Sequence, residues 1–90
     1  MLSAKYQIFL LLLLNKALTK NDVRLFSTNK SFYTMTAFLQ DRELVEAKVI
    51  DERGTKLYAL TMRGEILALA LENILTSKEN KQIKIFIKTE

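Results

Sequence analysis

Apolar residues recur at helical spacing through the first half of the chain. Behind Ser3, a good N-cap, Tyr6, Leu10, Leu13, Leu14 and Ala17 follow one another at intervals of three and four, predicting a first helix over 3–17 with that stripe toward a core. Thr19 with Asp22 three residues on has the form of a capping box, with Asp in place of the usual Glu. It predicts a second, short helix carrying Val23, Leu25 and Phe26. Ser27, Thr28 and Asn29 interrupt that pattern. A third helix is predicted over 31–41, with Phe32, Met35, Phe38 and Leu39 on one face and Lys30, Tyr33, Ala37 and Gln40 on the other.

The period then changes. Val45, Ala47 and Val49 alternate with Glu46 and Lys48, and a second short apolar run covers 57–60. Between them lies a charged segment, 51–56, whose Gly54 can supply the positive φ of a tight turn, so 44–60 is predicted to be a β-hairpin with an exposed tip. Thr61 caps a predicted fourth helix over 62–76. Ile83, Ile85 and Ile87 alternate with Lys84, Phe86 and Lys88, the pattern of a short C-terminal strand. The second and third helices, joined by a short polar turn, have the layout of a helix-turn-helix over 19–41. Ninety residues make this a single domain over 1–90, with one modest core.

Composition narrows the function. Apolar residues form 49% and charged residues 27% of the chain, the balance of a folded globular protein. The apolar run over 8–14 is far short of the roughly 20 residues a membrane-spanning helix needs, and no small-residue cleavage site follows it, so no membrane partner is expected. Without cysteine or histidine the chain lacks thiolate metal ligands and the commonest general base. Glu43, Glu46, Asp51 and Glu52 sit in or beside the predicted hairpin and form no paired-acid site. Gly54 and Gly64, the only glycines, make no phosphate loop. A non-enzyme with no metal or cofactor, inside the cell in the cytoplasm, is expected. The net charge of +4 is uneven: six basic against two acidic residues in 1–42, four against six in 43–77, and four against two in 78–90. A basic first half is compatible with a nucleic-acid surface.

Two runs carry a family resemblance. Lys56-Leu57-Tyr58-Ala59-Leu60-Thr61-Met62-Arg63-Gly64 joins hairpin to last helix, and Leu39-Gln40-Asp41-Arg42-Glu43-Leu44-Val45 joins third helix to hairpin. With the order helix, helix, turn, helix, hairpin, helix, residues 3–76 resemble the winged helix-turn-helix domains of the PadR and MarR-like transcriptional regulators. The resemblance implies an α+β fold with a three-helix core, a two-stranded wing and a C-terminal helix. It also implies double-stranded DNA as partner. The third helix would enter the major groove with Asn29, Lys30, Ser31, Tyr33, Thr34, Thr36, Ala37 and Gln40 toward bases or backbone. Arg53 and Lys56 on the wing would meet phosphate or a minor groove, and Lys20, with Asn21 beside it, a phosphate near the start of the second helix.

The first and last helices are too apolar to have one buried face. Ile8 and Leu12 lie away from the first stripe, and Met62, Ile66 and Leu69 form a second seam on the last helix, so a homodimer through these five residues is expected. A winged helix used for protein interaction, or a protein that coats or segregates DNA by spreading along it, remain open alternatives.

Overall fold

The structure is a computed structural model and describes residues 2–24 and 26–78. Its elements are α1 (Ala4–Leu13), β1 (Leu18–Thr19), a 3-10 turn (Lys20–Asp22), α2 (Asn29–Asp41), β2 (Val45–Val49), β3 (Lys56–Leu60) and α3 (Met62–Lys78). Leu25 and the strand predicted over 83–88 lie outside the described residues.

Helix α1 is capped as expected, with the Ser3 hydroxyl accepting from the Tyr6 N–H at 3.4 Å. It ends at Leu13, four residues before the predicted Ala17. The chain turns at Leu14 and Asn15 so that Leu18 and Thr19 can pair with Tyr58 and Leu57 of β3. The sheet is therefore three-stranded and antiparallel, in the order β1-β3-β2, rather than a bare hairpin. Pairing satisfies backbone groups that a longer α1 would have bonded internally, and it buries Leu18.

The predicted second helix is reduced to the single 3-10 turn. Its capping interaction does form: Asp22 Oδ2 accepts from the Thr19 N–H at 2.9 Å and from the Thr19 hydroxyl at 3.0 Å. Val23 is already extended, at φ −114° and ψ 124°, so nothing propagates from the cap. Nucleating a helix is unfavourable unless several further residues follow. Here Val23 and Phe26 pack against the core without belonging to a helix.

Helix α2 starts two residues before the predicted Ser31. Thr28 is its N-cap, accepting from the Ser31 N–H at 3.1 Å. The helix closes with Glu43 in the left-handed region (φ 59°) and the Leu44 N–H bonded to the Leu39 carbonyl at 3.0 Å. In the wing, β2 and β3 pair with Val45 opposite Leu60, Ala47 opposite Tyr58 and Val49 opposite Lys56. The turn between them uses Gly54 at φ 84°, as the sequence predicts.

Thr61 joins the wing to α3. Its N–H donates to the Leu44 carbonyl at 3.1 Å, its hydroxyl donates to the Glu43 carbonyl at 2.6 Å, and the same oxygen accepts from the Gly64 N–H at 3.0 Å. The two runs that carry the resemblance thus meet each other in space. The core is built from Phe9, Leu10 and Leu13 of α1, Leu18 of β1, Phe32, Met35 and Leu39 of α2, Leu44, Val45 and Tyr58 around the sheet, and Ala68 of α3. Phe32 sits at its centre, edge-on to Phe9, Phe26 and Tyr58 at 5.5–6.2 Å between ring centroids. This is the α+β winged-helix arrangement, with a third strand and a shortened second helix.

Candidate nucleic-acid interface

Packing of Phe32, Met35 and Leu39 inward fixes which side of α2 faces solvent. Asn29, Lys30, Ser31, Tyr33, Thr34, Ala37 and Gln40 are all exposed, as the sequence predicts. Ser31 is partly engaged at the helix start, its hydroxyl 2.8 Å from that of Thr28. Thr36 departs from expectation. It is 2% exposed, its hydroxyl donates to the Tyr33 carbonyl at 3.2 Å, and it lies against Tyr58. Position 36 falls one residue after Met35 and three before Leu39, so it rotates inward under the wing and cannot touch DNA. Phe38, expected in the core, is only half-buried: Tyr6 packs edge-on at 5.3 Å and the Arg42 guanidinium stacks over the ring at 3.6 Å.

The N-terminal end of α2 and the wing form the walls of a cleft of about 410 Å3. Of the residues singled out from sequence, it brings together Lys20, Asn29, Tyr33, Arg53 and Lys56. Lys30, Ser31, Thr34, Ala37 and Gln40 are not part of its lining and stand on the open helix surface. Asn21, named beside Lys20 from the sequence, also lines the cleft, as does Thr55, which was missed. The only sequence signal for Thr55 was adjacency to Lys56, and the pairing of β1 that brings Asn21 to the wing was not foreseen.

Acidic residues near the wing tip would oppose an anion if they faced it. Asp51 is instead consumed by the turn: its Oδ1 accepts from the Arg53 and Thr55 N–H groups at 3.0 Å each. Hydrogen bonds from Thr55, side chain and backbone, hold its carboxyl below the usual value, with smaller contributions from the Arg53 and Gly54 N–H groups. Asp22 is lowered in the same way, chiefly by the Thr19 N–H and hydroxyl. The Arg53 side chain is 89% exposed, and its ion pair with Asp51, at 3.8 Å, is long. Such a pair restrains the guanidinium weakly and leaves it able to reach a ligand. Burial pushes the Tyr58 phenol up, against a lowering interaction with Thr36.

The residues proposed to pair two copies are all exposed: Ile8 at 40%, Leu12 at 38%, Met62 at 80%, Ile66 at 64% and Leu69 at 46%. Ile74 and Leu75, further along α3, are exposed too. Among the described residues no cluster of acidic side chains could hold a metal, and no helix is long and apolar enough to cross a membrane.

No protein-family model and no curated protein matches the chain. Among solved structures it is similar to an X-ray structure of a "PadR-like Transcription factor from bacteroid fragilis", at 22% identity and a TM-score of 0.71, over 90% of this chain and 88% of that one. The likeness runs through nearly the whole of both chains, and it establishes the winged-helix fold.

Proposed function

We propose that this protein is a transcriptional regulator that binds double-stranded DNA sequence-specifically as a homodimer. The observation that carries the reading is the outward face of α2. Seven side chains stand exposed there with Lys30 as the only charge among them and Asp41, also exposed, at the end of the helix, beside a basic cleft lined by no carboxylate among the described residues. Groove reading needs hydrogen-bonding groups and a low profile, which Tyr33, Thr34, Gln40 and Ala37 provide, whereas a face built for solubility would carry Glu–Lys pairs. The solved structure it resembles is that of a transcription factor, which supports the same reading. In this reading Arg53 and Lys56 grip the backbone from the wing, Lys20 does so from the 3-10 turn, and the apolar seams of α1 and α3 join two copies. The protein then works inside the cell, on DNA.

Selection of bound sequences from a random duplex pool tests this. A palindrome with half-sites about one helical turn apart is the expected result. A footprint that extends along the duplex without limit would instead mark a coating or segregation protein. One observation favours a protein-interaction role: Val49 and Ile50, at the outer end of the wing, are exposed apolar neighbours at 58% and 49%. Recovery of no enriched sequence, with no footprint, would make that the better account.

A further inference from the structure

The cleft between the wing and the foot of α2 is large enough to hold a small molecule. Its volume of about 410 Å3 falls in the range of roughly 300–1,000 Å3 common to small-molecule sites. Its lining reaches down to Tyr58, which is 2% exposed and belongs to the core.

The lining is also richer than a backbone contact needs. Lys20 comes from the 3-10 turn, and Arg53 and Lys56 come from the wing, in its turn and at the start of β3, so three cations from two segments line one cleft. Of the acids nearest in sequence, Asp22, Asp51 and Glu52, none belongs to the lining; Asp22 and Asp51 are tied into their own turns, and Glu52 is exposed at the wing tip. Asn21 and Asn29 each offer an amide, donor and acceptor in one group. Tyr33, 48% exposed, contributes an aromatic face. Phosphate charge, base edge and base face each find a group of matching chemistry.

We propose that this cleft binds a free nucleotide carrying a di- or triphosphate, and that the bound nucleotide excludes duplex DNA from the surface formed by α2 and the wing. Lys20, Arg53 and Lys56 hold the phosphates, Tyr33 stacks on the base, and Asn21 and Asn29 hydrogen-bond to its edge. The exclusion rests on the DNA-binding reading above, because Tyr33, Asn29, Arg53 and Lys56 belong to both sites. A competitor present at ten times its own dissociation constant lowers the apparent affinity for duplex about elevenfold.

Two measurements on the full chain test this. Calorimetric titration with ATP, GTP, adenosine and inorganic pyrophosphate reads the cleft directly. Displacement of a labelled duplex, followed by anisotropy with ionic strength matched by NaCl, reads the exclusion, since added salt alone weakens a protein–DNA complex. Saturable binding of a nucleoside triphosphate is expected, tighter than that of pyrophosphate or adenosine, with displacement beyond the salt control. Lys20→Ala and Lys56→Ala, at a half-exposed and an exposed position, should each weaken nucleotide binding at least fivefold while circular dichroism stays unchanged. Three results would overturn the proposal: no binding of either triphosphate, pyrophosphate binding as well as ATP, or indifference to both lysine variants. Displacement equal to the salt control overturns the exclusion. A chain that binds ATP but no duplex in the selection pool sinks the DNA reading and leaves the nucleotide site standing.

Discussion

The backbone of Leu44 lies so close to Gly64 that a Cβ added at the glycine would overlap the Leu44 carbonyl oxygen. That oxygen already accepts from the Thr61 N–H, and Gly64 donates to the Thr61 hydroxyl. The first turn of α3 is thereby pressed onto the junction between α2 and the wing, and the clash is with backbone, which cannot swing aside. Gly64→Ala should destabilise the protein by about 1–3 kcal/mol, an overpacking cost. At this chain length that corresponds to a fall in Tm of roughly 4–8 °C for each kcal/mol. Gly54→Ala should cost about 1 kcal/mol for its positive φ alone, because nothing stands within 4 Å of the added carbon. Urea denaturation of the two variants checks the order.

Thr36 separates burial from groove contact. A lysine at an outward position of a DNA-reading helix would add a phosphate or base contact and raise affinity. At a position 2% exposed it forces a charge into the core beside Tyr58. Thr36→Lys should therefore unfold or severely destabilise the protein. Thr36→Val, of similar shape, should leave base preference unchanged and shift stability by no more than about 1 kcal/mol. Thermal melts and binding titrations of both variants decide the matter.

Helix and wing carry different information. Gln40→Ala and Tyr33→Ala should lower affinity for the selected site more than for random duplex, since both side chains stand on the open face of α2. Arg53→Ala should weaken both duplexes by similar factors and reduce the slope of log affinity against log salt by about one unit. Titrations at several salt concentrations are the measurement. If neither α2 variant changes specificity, the helix is not the reader.

Pairing of two copies is checked by light scattering coupled to size exclusion. A particle of twice the 10.4 kDa chain mass is expected at micromolar concentration. Leu69→Glu should return it to the single-chain mass, because an unpaired carboxylate in an apolar interface costs on the order of several kcal/mol. Both Leu69 and Leu12 are partly exposed in the single chain, at 46% and 38%, so the monomeric variants should still fold.

The wing turn should respond to acid in one direction only. The folded-state carboxyl of Asp51 lies below its ordinary value of 3.8, held there by Thr55 and the turn amides. Its contribution is therefore complete above pH 3.8 and is lost as pH falls through the lowered folded value. Amide shifts of Arg53 and Thr55, followed by NMR, should stay flat from pH 7 to 5 and move only in the acid range. A transition near neutrality would show that the carboxylate does not hold this turn.

Much of the candidate surface was legible before folding. The outward residues of α2 follow from where Phe32, Met35 and Leu39 must go, and the wing follows from alternation closed by Gly54. Thr36 was misplaced because a lone hydroxyl beside a core stripe reads as polar. Only the approach of β3 made that side of the helix an interior. Phe9 was overlooked because α1 is apolar around its whole circumference, so spacing could not choose the buried face.

The sequence by itself determined α1, α2, the wing and α3, their order and most of the inward face of α2, because local periodicity, caps and a positive-φ glycine act over a few residues. Tertiary structure decided what happens between Leu14 and Thr28. There a capping pair at Thr19 and Asp22 predicted a helix, and long-range pairing of Leu18 and Thr19 with β3 produced a strand and a single turn instead. That choice sets Lys20 and Asn21 opposite Arg53 and Lys56. The cleft exists because backbone hydrogen bonds to a strand about forty residues away outweighed a helix too short to sustain itself.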